Sequence, residues 1–244
     1  MTSVGDLVAG SEAPFVSVDL GSARFIVINR PAARNALTRQ MRRDFPAIID
    51  EAEHDGSVSV LVLTGMDPAF CAGVDLKERA AGASQPISPN PAEVLRRARK
   101  PIIAAVNGAC IAGGLEMALS CSFIIGSTQS RFADTHAKVG VFPRWGQTAL
   151  LPNAVGTQRA KQMMLTGAFI DAHRALQWGL INEVTFCDHL IDRCSELAGE
   201  IANAHGEVIV AELQALRERD SAARSMGLEA ERSALAKWDA RRPG

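Results

Sequence analysis

Apolar residues fall in short runs separated by polar and turn-forming positions, and over residues 15–63 these runs predict strand, strand, helix, strand. Residues 15–20 and 24–29 flank Gly21-Ser22, a hairpin signal. Arg30-Pro31 ends the second strand, because proline has no N–H to give to a ladder. Thr38 is placed to cap a helix reaching about Glu53, with Met41, Phe45, Ile48 and Ile49 at helical spacing on one face. Pro46 within it predicts a kink or a restart. Residues 58–63 form a compact β-branched run closed by Thr64-Gly65, the pattern of a buried parallel strand.

Beyond Asp75 the pattern loosens. Residues 79–91 are polar and turn-rich (Gly82-Ala83-Ser84-Gln85-Pro86, then Pro89-Asn90-Pro91), which predicts a lid or a disordered loop. A short helix carrying Arg96, Arg97, Arg99 and Lys100 follows, and Pro101 opens a second buried strand at residues 102–106. Residues 113–119 predict a helix and residues 123–126 a third strand. From about Ala149 onward helices dominate, broken by Gly156, Gly167 and a short apolar run at residues 181–186. Spacings within residues 208–216 and 226–238 predict partly buried helices. Strands that alternate with helices and then give way to them predict an α/β core over residues 1–188 and a helical segment over residues 189–244.

Composition narrows the function classes only at the margins. An apolar fraction of 47% and a charged fraction of 22% are those of an ordinary globular chain. A net charge of -1 leaves no basic footprint for nucleic acid. The first residues lack a basic stretch followed by an apolar run, and no apolar segment approaches the roughly 20 residues that cross a bilayer, so neither secretion nor a membrane is expected. Five cysteines (Cys71, Cys110, Cys121, Cys187, Cys194), odd in number and without metal-ligand spacing, predict reduced thiols in a cytoplasmic protein. The histidines show no H-E-x-x-H spacing and no G-x-S-x-G elbow is present; no metal and no hydrolase triad are expected.

Two glycine-containing turns carry the candidate chemistry. One is Phe70-Cys71-Ala72-Gly73-Val74-Asp75; the other is Val106-Asn107-Gly108, leading to Ala112-Gly113-Gly114-Leu115-Glu116. Each lies between a buried strand and a predicted helix, whose free N–H groups suit a developing oxyanion. Neither is the G-x-G-x-x-G fingerprint, so a nicotinamide cofactor is not indicated. Tight turns and close packing are the other reading of these glycines.

Taken in order, four segments resemble the enoyl-CoA hydratase (crotonase) family. Asn29 to Leu37 is similar to its "N-R-P-x-x-x-N-A-L" turn, and Phe70 to Leu76 to its "F-x-A-G-x-D-L" segment. Pro101 to Cys121 resembles "P-x-I-A-A-V-N-G-x-x-x-G-G-G-x-E-L-A-L-x-C". Leu165-Thr166-Gly167, with Ala175 to Leu180 and Val184, resembles the family's later "L-T-G" stretch. The resemblance implies a spiral of ββα units with a C-terminal helical segment. It also implies an oxyanion hole made by the N–H groups of Val74 and Gly113, holding the enolate of an acyl-CoA thioester. Ala72, through its backbone, together with Asp75, Gly114, Arg144 and Trp145, would meet the substrate or its CoA. Coenzyme A would enter as part of the substrate, with no separate cofactor, and the assembly would be a homotrimer or hexamer joined through the helical segment. Glu116 matches the first of two catalytic glutamates that hold the water added to C3 of a 2-enoyl-CoA, with protonation at C2. Between apolar neighbours its pKa would be raised.

The chain departs from the family pattern at four places. His136 stands where the second glutamate belongs, twenty residues after Glu116. An imidazole suits proton shuttling, although a lone histidine is also a common structural residue. Asp134 is the nearest carboxylate, and on a helix its offset of two would point it to another face. The family's "P-G-x-G-G" run reads Pro143-Arg144-Trp145-Gly146-Gln147, Ser122 replaces an aspartate, and the sequence stops at Gly244 before a last family helix. Three readings follow: a hydratase using Glu116 with His136; an isomerase or decarboxylase of the same enolate chemistry; or an acyl-CoA-binding protein without catalysis.

Overall fold

The computed structural model describes residues 1–80, 86–219 and 221–241, so the turn-rich run at residues 82–85 lies outside the described residues. The first apolar runs pair as expected. β1 (Phe15–Leu20) lies antiparallel to β2 (Ala23–Ile28), and β2 lies parallel to β3 (Val60–Gly65). Between them Thr38 accepts the Met41 N–H and starts a helix, Arg39–His54, that runs on through Pro46 without a break. The turn before it is held by Asn35, at φ 57°, whose side chain donates to the carbonyls of Met66 (2.7 Å) and Ala69 (2.6 Å) and accepts the Arg30 N–H (2.8 Å).

Each central strand is followed by a very short second one. β3 leads to β4 (Ala69–Cys71), β5 (Ile102–Val106) to β6 (Ala109–Ile111), and β7 (Phe123–Ser127) to β8 (Arg131–Ala133). With β9 (Ile170–Asp171) and β10 (Glu183–Thr185) they form two sheets, ordered β1-β2-β3-β5-β7-β10 and β4-β6-β8-β9. The small sheet escaped the hydropathy reading, because three-residue strands are too short to display a period, and Gly73 and Gly108 beside β4 and β6 read as turns.

The helices, in chain order, are α1 (Val4–Leu7), α2 (Arg39–His54), α3 (Leu76–Ala80), α4 (Pro91–Arg97), α5 (Gly113–Ala118), α6 (Gln147–Val155), α7 (Thr157–Thr166), α8 (Ala172–Trp178), α9 (Leu190–Ala202), α10 (Gly206–Arg219) and α11 (Ser221–Ala240). All of β3 and β5 is buried, as parallel strands covered on both faces must be. One apolar core unites the inner sheet face with α2, α4, α5 and α6. The second lies on the other face, where Leu190, Ile191, Cys194 and Ala198 of α9 pack with α1 against Phe25, Val60 and Ile103. No residue of α10 is buried, and Val208, Val210 and Leu216 are exposed on it. α11 returns to pack on α6. Among the described residues, no helix is long and apolar enough to cross a membrane.

Candidate active site

The turn after β4 and the start of α5 meet at one cavity. The Leu37 N–H donates to the Gly73 carbonyl (2.7 Å), and the Asp75 N–H donates to the Leu37 carbonyl (3.0 Å). This register faces residues 73 and 75 toward Leu37, so the intervening Val74 N–H points away from it. Opposite, Ala112 adopts φ 49° and ψ −114°, a sparsely populated conformation costing about 1–3 kcal/mol that places Gly113 first in α5. The first N–H groups of a helix have no intrahelical acceptor. Among the described residues, no acceptor is found for the N–H of Val74 or Gly113. The two segments touch: a Cβ on Gly73 would stand 2.9 Å from the Gly113 nitrogen.

Glu116 lies one turn along α5 and is only 1% exposed. Its Oε1 accepts two backbone N–H groups, from Trp145 (2.8 Å) and Gln147 (3.0 Å). Oε2 is thereby left facing His136, 3.7 Å from its Nε2. On the other side of its ring, His136 Nδ1 is 2.6 Å from Asp134 Oδ1, which also accepts the His136 backbone N–H at 3.0 Å. A carboxylate accepts, so Nδ1 carries the hydrogen and Nε2 faces Glu116 as the group that can gain or lose a proton. Burial pushes the Glu116 carboxyl up to about 7; His136 pulls against that rise, and the Glu231 carboxylate adds to it. Burial alone would lower the His136 pKa, but the Asp134 hydrogen bond and the Glu116 carboxylate outweigh it, and the net shift is upward.

The placement of Asp134 corrects the sequence expectation. Residues 134 and 135 lie outside any helix, between β8 and a short 3-10 turn, so side chains two apart can meet. Asp134 does not replace the missing glutamate; it holds the histidine that does stand there.

A cavity of ≈ 210 Å³ is bordered by Ala72, Val74, Gly113, Glu116 and His136, and also by Arg144 and Trp145. Asp75 and Gly114 lie off its wall. Asp75 caps α3, accepting the N–H groups of Lys77 and Glu78, and pairs with Arg30 at 2.5 Å. Burial works to raise the Asp75 pKa, but the Arg30 hydrogen bond and those N–H groups prevail and hold it below the usual range. Gly114 serves packing: a Cβ there would stand 2.1 Å from the Cys71 carbonyl oxygen. The basic cluster after residue 95 is also turned to structural use. Arg96 donates to Ser120 Oγ and the Trp145 carbonyl, and Lys100 to the carbonyls of Ala52 and Asp55. Ser122 accepts the Ile102 N–H at the start of β5.

Among the further residues at the cavity, Arg42, Arg79 and Leu235 have no motif to announce them. Glu231, buried on α11, accepts the N–H groups of Gly146 and Thr148 beside the two that Glu116 takes. Its partners lie more than eighty residues away in sequence, beyond the reach of any local pattern.

Two sheets wound from repeated ββα units, with a buried carboxylate and a buried imidazole after the inner strands of the smaller sheet, are the crotonase architecture. The chain belongs to the enoyl-CoA hydratase/isomerase family, whose model matches residues 21–241. It is 35% identical to the probable peroxisomal enoyl-CoA hydratase 1 of Arabidopsis thaliana, over 80% of this chain and 75% of that one. It is 36% identical to the short-chain-enoyl-CoA hydratase of Clostridium acetobutylicum, over 75% and 73% respectively. The crystal structure of an enoyl-CoA hydratase from Mycobacterium tuberculosis H37Rv superposes with a TM-score of 0.88 at 38% identity, covering 94% of this chain and 97% of that one.

Proposed function

We propose that the protein is an enoyl-CoA hydratase, a lyase that adds water across the 2,3-double bond of an enoyl-CoA thioester. The observation that carries this reading is the facing pair, Glu116 Oε2 and His136 Nε2, 3.7 Å apart beside two N–H groups that find no acceptor among the described residues. The relatives named as hydratases support it. In this reading the thioester oxygen accepts from Val74 and Gly113, which favours the enolate formed when water attacks C3. Backbone donors of this kind are typically worth about 100- to 1000-fold each. They also explain why valine can stand at residue 74.

His136 takes the place of the second glutamate. The active form holds one proton between Glu116 and His136. As the water oxygen bonds to C3, the unprotonated member accepts a proton from the water, and the protonated member gives its own to C2. The product gains one hydroxyl and one hydrogen, and the pair again holds a single proton. Burial lifts the Glu116 carboxyl to about 7, where it can exchange a proton near neutral pH, while the Asp134 hydrogen bond and the Glu116 charge raise His136 against its own burial. An isomerase or decarboxylase would use one acid–base group and leave half of this pair without work.

Coenzyme A enters with the substrate, and the reading calls for no separate cofactor. Exposed Val208, Val210 and Leu216 on α10 support a homotrimer or hexamer, and five unpaired thiols fit a cytoplasmic setting. The deciding experiment follows loss of the conjugated enoyl-thioester absorbance with crotonyl-CoA. Glu116→Gln keeps an oxygen for the Trp145 and Gln147 N–H groups, yet turnover is expected to fall roughly 100- to 10,000-fold. Full turnover in that variant would overturn the reading.

A further inference from the structure

Three guanidinium groups, Arg42, Arg79 and Arg144, border the same cavity as Glu116 and His136. Arg42 is accounted for: its Nε donates to the Thr38 carbonyl at 3.3 Å, and it lies within the field of Glu78. Arg79 and Arg144 are not. They are close enough to repel one another, and the carboxylate near both is Asp239, about half exposed and bound 2.7 Å from Arg144 Nη2. Among the described residues, no acceptor is found for the buried Arg144 Nε–H. Among the described residues, Arg79 has no ion-pair partner, and residues 81–85, which follow it, include no acid. Two cations against one half-exposed acid, at the wall of a cavity whose other lining includes Val139, Val141, Phe142 and Leu235, is an unbalanced arrangement. An unpaired buried polar group costs free energy that a matching ligand group would recover.

Position indicates which part of a ligand these arginines would meet. Arg144 immediately precedes Trp145, whose N–H is bound to Glu116. Arg144 is thus held next to the segment that binds Glu116, and Arg79 lies close enough to Arg144 to feel its charge. A chain anchored by its thioester oxygen and reacting at C2 and C3 would therefore reach the guanidinium pair with its far end.

We propose that Arg79 and Arg144 form a carboxylate subsite, and that the preferred substrates are enoyl-CoA monothioesters of dicarboxylic acids. The apolar residues take the intervening methylene groups, and the planar guanidinium fork takes the terminal carboxylate. This inference rests on the hydratase reading for its chemistry but on separate residues for its specificity.

The test compares trans-2-hexenoyl-CoA with trans-2-hexenedioyl-CoA, six-carbon chains that differ in ending with a methyl or a carboxylate. The dicarboxylic substrate is expected to have the higher kcat/KM, by roughly 10- to 200-fold. Arg79→Gln and Arg144→Gln should each bring that ratio toward unity. Equal or reversed preference in the unaltered protein would overturn the subsite while leaving the hydratase reading intact. So would variants that weaken both substrates alike, which would assign the arginines to CoA phosphates. If neither substrate is hydrated, the hydratase reading fails, and calorimetry with adipyl-CoA and hexanoyl-CoA still decides the subsite. Tighter binding of adipyl-CoA that is lost in Arg79→Gln would uphold it, and equal binding would end it.

Discussion

Glu116 and Glu231 divide the start of one helix between them. Glu116 Oε1 accepts the N–H groups of Trp145 and Gln147, while Glu231 accepts those of Gly146 (2.8 Å) and Thr148 (2.8 Å), and the Thr148 hydroxyl as well (2.5 Å). Four successive donors at the positive end of α6 thus alternate between two buried carboxylates, one on α5 and one on α11. Through this shared terminus the C-terminal helix fixes the position of the proposed catalytic acid. Its negative charge also adds to the Glu116 proton affinity.

Glu231→Gln is expected to lower the Glu116 pKa from about 7, because burial remains but the neighbouring charge is gone. The acid limb of the kcat–pH profile, where the doubly protonated Glu116–His136 pair loses its first proton, should move to lower pH. The lost charge-assisted bonds to Thr148 should cost about 1.5–3 kcal/mol, read as a lower thermal midpoint. A lower midpoint with an unmoved pH profile would confine Glu231 to holding the helix.

Asn35 should be among the most costly polar residues to remove. Asn35→Ala deprives the Met66 and Ala69 carbonyls and the Arg30 N–H of their partner, and it leaves a β-carbon at φ 57° without the polar side chain that lets asparagine tolerate that region. We expect a loss of about 3 kcal/mol or more in urea unfolding. Asn35→Gly removes the same bonds without the left-handed penalty, so it should be milder by about 1 kcal/mol.

Much of this site was legible before the fold was known. The runs at residues 102–106 and 113–119 identified a buried strand and the helix bearing Glu116, since burial on both faces leaves an unbroken apolar signature. The same motifs placed Val74, Gly113, Glu116 and His136, which the fold gathers at one cavity. Asp134 was misjudged because helical geometry was assumed for a segment that is not helical. Asp75 and Gly114 sit inside the right motifs yet serve the cap of α3 and a close approach to Cys71, distinctions that only tertiary contact creates. Glu231, Arg42 and Arg79 have no local signal, because each acquires its role from residues distant in the chain.

Asp134→Asn isolates the role of the histidine. Asparagine keeps an oxygen for the His136 Nδ1–H and backbone N–H, but removes the anion that raises the ring's proton affinity. In the proposed mechanism the pair is active with one proton and inactive with none, so the alkaline limb would report loss of its last proton. That limb should move to lower pH in Asp134→Asn, while His136→Ala should lower kcat by roughly 100- to 10,000-fold. An unmoved limb together with a nearly unimpaired His136→Ala would make His136 scaffolding, leaving Glu116 to act alone.

Gly113 and Val74 separate a backbone role from a side-chain role. A Cβ on Gly113 would stand 2.8 Å from Trp145 Cζ3 and 3.2 Å from the Gly73 Cα. The indole is rigid, and the Trp145 N–H is bound to Glu116, so relief of that clash shifts either the Gly113 N–H or the Glu116 carboxylate. Gly113→Ala should therefore cost about 1–3 kcal/mol in stability through overpacking. It should also lower kcat by up to roughly 100- to 1000-fold, the worth of one oxyanion donor. Val74→Ala removes two methyl groups from the cavity wall but keeps the N–H and its bracing by Leu37, so its loss in kcat should be far smaller. Equal losses in the two variants would mean that the valine side chain, and not its backbone, serves the reaction.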